Sequence, residues 1–92
     1  MIDLKECEKR SELLKAMAHP HRLCIIKGLY ENACNVTKMQ DCLNIPQSTV
    51  SQHIAKLRAA GIIEGTREGN EICYRLVNED AIQILKTLFH LK

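Results

Sequence analysis

Ninety-two residues, with 13 Lys and Arg against 11 Asp and Glu, a net charge of +2 and a pI near 8.3, leave room for one small core and no broad electrostatic field. A polyanionic partner must therefore be met by a few clustered groups rather than by total charge. Nothing approaches the apolar length of a bilayer span, and the start Met1-Ile2-Asp3-Leu4-Lys5-Glu6 is too charged for a signal peptide.

The five cysteines, Cys7, Cys24, Cys34, Cys42 and Cys73, are irregularly spaced. An odd set of this kind without a secretion signal fits reduced thiols in a cytoplasm rather than a disulfide scaffold.

Residues 3 to 17 read as a first helix, with Leu4, Cys7, Ser11 and Leu14 on one stripe and Leu13 with Met17 on a neighbouring one. His19-Pro20 ends it, because the residue before a proline is pushed out of the helical region. Pro20 then suits the first turn of a second helix, about 20 to 30, with Leu23, Ile26, Leu29 and Tyr30 inward. After a polar loop, Asn35 caps an expected third helix over Val36 to Leu43. Asn44-Ile45-Pro46 is a tight turn of the helix-turn-helix kind. A fourth helix runs from Gln47 to a stop at Ala59-Ala60-Gly61.

From there the apolar period changes from 3.6 to 2. Ile62 to Arg67 and Glu71 to Val77 read as two strands joined by Glu68-Gly69-Asn70, with Ile72, Tyr74 and Leu76 on one face. Asn78 caps a last helix whose first turn carries Glu79 and Asp80. That helix is apolar on two sides, one through Ile82, Leu85 and Phe89 and the other through Ala81, Ile84 and Leu88. One side can meet its own core, and a second copy of the chain is the simplest partner for the other.

The fourth helix carries the chemistry. Val50, Ile54 and Leu57 recur at helical spacing and face a core, and between them sit Gln47, Ser48, Thr49, Ser51, Gln52, His53 and Lys56 as an outer, polar face. A helix built only for solubility would carry Glu and Lys at (i, i+4). Amides, hydroxyls and an imidazole are instead groups that read base edges, and Lys meets phosphate. The alternatives are helix capping for Ser48 and a packing contact at the turn for His53.

The order helix, helix, helix, helix, strand, strand, helix is that of a winged helix-turn-helix: mainly α with a two-stranded β wing, one domain over residues 1–92. Three segments resemble the ArsR/SmtB-type bacterial repressors: Leu14-Lys15-Ala16-Met17-Ala18-His19-Pro20-His21-Arg22-Leu23; Gln47-Ser48-Thr49-Val50-Ser51-Gln52-His53 with Leu57; and Gly61-Ile62-Ile63 leading to Arg67-Glu68-Gly69 and Tyr74. Pro46 and the middle segment are similar to the PagR-like branch. The resemblance implies a homodimer built on the first and last helices, with each fourth helix in a major groove of an imperfect inverted repeat and the wing on flanking backbone. Family members of this kind usually repress and leave DNA when an effector binds. Carried over residue by residue, Gln47, Ser48, Thr49, Ser51, Gln52, His53 and Lys56 are groove and phosphate contacts, and Arg67 with Asn70 belongs to the wing. Arg75 reads as a solvated strand residue and Arg22 as structural.

The metal-sensing relatives use ligand sets that this chain lacks. Asn35-Val36-Thr37 stands in place of a Cys-x-Cys, the last helix offers only His90 near its end, and Cys7 is the sole terminal cysteine. Cys7, His19, His21 and His90 could assemble across a dimer, but no spacing compels it, and neither a metal nor a cofactor is expected. Cys24 and Cys42 read as core residues, and Cys73 as lying opposite Tyr74. Cys7 and Cys34 are the candidates for exposed, oxidisable thiols. Neither thiol position of the persulfide-sensing relatives is filled, since Lys27 stands at one and no cysteine lies near the end of the last helix.

The expected function is a cytoplasmic, DNA-binding transcriptional regulator, a homodimeric repressor, with release by thiol oxidation as one route. The alternatives are a metal-responsive repressor with a non-standard site and a winged-helix protein-interaction module. The latter would want exposed aromatic or Arg anchors that the fourth helix does not offer. No nucleophile-base set, phosphate loop or carboxylate pair points to an enzyme.

Overall fold

A computed structural model describes residues 1–31 and 43–92. Its elements are α1 (Leu4–Met17), α2 (Pro20–Tyr30), α3 (Gln47–Ala59), β1 (Ile63–Glu68), β2 (Glu71–Leu76) and α4 (Glu79–Phe89). Among the described residues there are thus four helices. The helix expected third, with Asn35, Cys34 and Cys42, lies outside them except for Leu43, so α3 is the helix expected fourth.

Local chemistry sets the ends of these elements. Asp3 Oδ1 accepts from the Lys5 amide at 3.0 Å and starts α1. Pro20 opens α2, and the His19 ring Nδ1 caps it by accepting from the His21 amide at 3.1 Å. Asn44, with φ 55°, makes the turn ahead of α3, where asparagine tolerates the left-handed region. Past α3, Gly61 has φ 73°, and the Ile62 amide reaches back to Leu57 O at 3.0 Å while the Gly61 amide reaches Arg58 O at 3.0 Å. This pair of bonds is a Schellman cap, with buried Ile62 and Leu57 supplying its hydrophobic contact. Asn78 Oδ1 accepts from the Ala81 amide at 2.9 Å and starts α4.

The strands pair antiparallel, with Ile63 opposite Leu76 and Glu68 opposite Glu71. Only two residues, Gly69 and Asn70, then span the turn, and Gly69 takes the positive φ of 66° that a two-residue hairpin needs at its first position. Gly65 faces Tyr74 across the ladder, and a Cβ there would lie 2.8 Å from Ile72 Cγ2 and 2.9 Å from Tyr74 Cε1. The wing therefore closes over a glycine.

α2 is the hub, since it packs against α1, α3, α4 and β2. The core around it is Met17, Ile25, Ile26, Leu29, Val50, Ile54, Leu57, Ile62, Ile63, Tyr74, Ala81 and Leu85. Three expectations about burial need correction. Ile25 and Arg22 join Ile26 and Leu29 inside, whereas Leu23 and Tyr30 are only partly covered. Ile72 is exposed, because it sits near the hairpin tip, while Tyr74, further along β2, is buried. Cys24 is exposed and is not a core residue. Leu4, Leu14, Leu88 and Phe89, on α1 and α4, also stay exposed in the single chain.

Candidate nucleic-acid interface

α3 divides into two sides. Val50, His53, Ile54 and Leu57, spaced 3, 4 and 7 apart on one stripe, are buried. Gln47, Ser48, Ser51, Gln52 and Lys56 are exposed, and Thr49 is half-buried between the sides. The outer side therefore carries amides, hydroxyls and one ammonium, and it is free of acidic groups along the whole helix. Pro46 supplies the helix start through its carbonyl, which accepts from Thr49 N at 3.0 Å and Val50 N at 3.1 Å. No side chain caps this helix, so Ser48 is not held as an N-cap.

His53 is placed differently from the rest of the expected set. Only 8% exposed, it points towards α2 rather than outward. Its Nδ1 lies 3.4 Å from Nη1 of Arg22, and its ring centroid is 4.6 Å from that of His19 and 5.6 Å from that of His21. Arg22, itself 9% exposed, donates through Nε to Ala16 O at 2.6 Å and through Nη2 to Lys15 O at 3.4 Å. It thus ties the carbonyls at the end of α1 to α2, which is the structural role expected of it, and reaches α3 only through the longer His53 contact. Burial, together with the positive charge of Arg22, His21 and Lys56, holds the His19 ring below the usual histidine range. Burial is again the first cause for His53, followed by His19, Arg22, His21 and Lys56.

The wing adds little positive charge, with three glutamates (Glu64, Glu68, Glu71) against two arginines. Arg75 is exposed and bonded to Glu64 at 2.9 Å, and that bond pushes its pKa up. Arg67 and Asn70 are both exposed at the hairpin end, and Arg67 Nε reaches Gly69 O at 3.4 Å. Cys7 is exposed on α1. Two features escaped the sequence reading. Arg58 is an exposed cation in the last turn of α3, two residues after Lys56. The second is the clustering of His19, His21 and His53, which the sequence signalled only in the His19-Pro20-His21 repeat.

A helix set behind a turn and followed by a two-stranded hairpin and a closing helix defines a winged helix-turn-helix protein. A family model described as a helix-turn-helix domain matches residues 17–66. The transcriptional repressor PagR of Bacillus anthracis is 44% identical over 88 residues, spanning 95% of this chain and 88% of that protein. Its crystal structure superposes with a TM-score of 0.80 over 94% of this chain and 99% of its own. Reduced HlyU from Vibrio cholerae superposes with a TM-score of 0.87 at 32% identity, covering 94% of this chain and 90% of that one. The biofilm growth-associated repressor of Agrobacterium fabrum is 37% identical, over 96% of this chain and 79% of that protein. The chain belongs to the ArsR/SmtB family of winged helix-turn-helix transcriptional repressors and is PagR-like within it.

Among the described residues no helix is long and apolar enough to cross a membrane.

Proposed function

We propose that this protein is a homodimeric transcriptional repressor that reads an inverted-repeat operator with α3. The observation that carries this reading is the outer side of α3, where Gln47, Ser48, Ser51, Gln52 and Lys56 stand exposed on a helix anchored by buried Val50, Ile54 and Leu57. Glutamine can bond the N6 and N7 edge of adenine in two places, and the hydroxyls suit several partners. Lys56 takes backbone phosphate. Arg67 and Asn70 reach flanking backbone from the wing. His53 acts behind this surface by packing α3 onto α2.

Dimerisation rests on α1 and α4, whose exposed Leu4, Leu14, Leu88 and Phe89 need cover. Two-fold symmetry then sets the half-sites about 34–36 Å apart. Such a protein works in the cytoplasm and needs neither catalysis nor a bilayer.

A mobility-shift titration on the promoter upstream of its own gene tests this reading at two salt concentrations. Affinity should fall steeply with salt, with a slope of about −0.9 per phosphate neutralised. Binding that ignores both sequence and salt would leave only the protein-contact alternative. Exposed Cys7 supports a second reading, in which a disulfide between subunits changes DNA affinity. Diamide followed by dithiothreitol in the same assay checks it, and equal affinity in both states removes it.

A further inference from the structure

We propose that His19, His21 and His53 form a three-imidazole site for a divalent transition-metal ion, bridging the start of α2 and the inner side of α3. One nitrogen from each ring lies within 4.8 Å of the other two. Tetrahedral zinc with bonds of about 2.0–2.1 Å needs its ligand atoms about 3.3–3.4 Å apart. Each pair is thus within about 1.5 Å of the spacing that coordination requires. His19 and His21 are half-buried and His53 is buried, so the cluster is anchored on one side and open to water on the other. Three nitrogens with a water or small anion in the fourth position make a complete tetrahedral shell for Zn²⁺.

The surroundings act in two directions. Burial first, and then the positive charge of Arg22 and Lys56, lowers the pKa of His19 and His53, which favours the neutral, ligating form of both rings. The same fixed charges oppose the ion, which makes this a site of modest affinity. The hydrogen bonds add a structural consequence. His19 Nδ1 accepts from the His21 amide, so in the metal-free ring the proton sits on Nε2. Binding through Nε2 shifts that proton to Nδ1, and binding through Nδ1 uses its lone pair directly. Either way the cap bond at the start of α2 is given up. At His53 little is lost, because the Arg22 contact is 3.4 Å long and the guanidinium keeps its bond to Ala16 O. Occupancy therefore uncaps α2 while fastening its first turn to α3.

The test is a titration of the reduced, metal-stripped full chain with Co²⁺ and Zn²⁺ in the absence of DNA, so that its outcome is independent of the operator-binding proposal. One ion per chain is expected, with visible cobalt bands of nitrogen and oxygen ligation and a shift of the His21 amide resonance. H19N, in which asparagine still caps α2, and H21N should each weaken binding by about tenfold or more. H90N should bind as the unaltered chain does. Three results would overturn the proposal: no binding tighter than millimolar, unchanged affinity in both H19N and H21N, or an intense thiolate-to-cobalt band that places the ion on cysteine.

Discussion

Arg22→Met should be among the most damaging single substitutions of a charged residue in this chain. Methionine keeps most of the apolar stem and removes the guanidinium. The loss begins with the 2.6 Å bond to Ala16 O, and a bond from a charged donor is worth about 1.5–3 kcal/mol. A cation at the C-terminal carbonyls of α1 adds about 0.3–1 kcal/mol. The contacts at 3.4 Å to Lys15 O and His53 Nδ1 add little, so the cost totals about 2–4 kcal/mol. Chains of this size are stable by about 5–14 kcal/mol, and urea slopes start near 1 kcal/mol per molar. Urea unfolding followed by circular dichroism, at one fixed protein concentration, should therefore show the midpoint fall by about 2 M. Arg75→Met is the control, because its partner Glu64 is exposed, and its midpoint should not move measurably. If Arg22→Met shifts the midpoint no more than Arg75→Met, Arg22 does not hold the end of α1 to α2.

Gln52→Ala should cost about 1–3 kcal/mol on cognate operator and relax one base position, read by competition with operator variants. Lys56→Ala should instead weaken all sequences alike and lower the salt slope by about one. Gly65→Ala, which places a methyl against Ile72 and Tyr74, should cost about 1–3 kcal/mol in urea unfolding, with the wing resonances shifting most. Leu88→Glu should yield a monomer in sedimentation equilibrium and lose operator binding with it, since Leu88 is exposed in the single chain. A Leu88→Glu protein that still sediments as a dimer moves the interface elsewhere.

Element boundaries were legible because the residues that set them act within one turn. Asp3, Pro20, Gly61 and Asn78 each start or stop a helix through a bond or backbone preference in their own neighbourhood. Burial was less legible, because it depends on partners distant in sequence. Arg22 is inside because α1 ends against it, and Cys24 is outside because nothing among the described residues covers that side of α2. His53 shows the limit most clearly. A histidine among glutamines and serines reads as a DNA ligand, and one turn-angle decides instead that it shares a stripe with Val50 and Leu57. Ile72 obeyed the alternation of β2 but lies towards the uncovered tip, where alternation no longer implies a core.

The position of α2 at the centre of the packing has a consequence for how such a protein diverges. A change on the buried side of α2, at Ile25, Ile26 or Leu29, falls where α1, α3, α4 and β2 pack, so selection there acts on folding. The outer side of α3 is exposed, and substitutions at such positions usually alter stability by no more than about 0.5 kcal/mol. Under the operator reading proposed above, Gln47, Ser48, Ser51 and Gln52 can be rewritten after gene duplication while the scaffold stays intact. Divergence in target then proceeds without passing through unfolded intermediates.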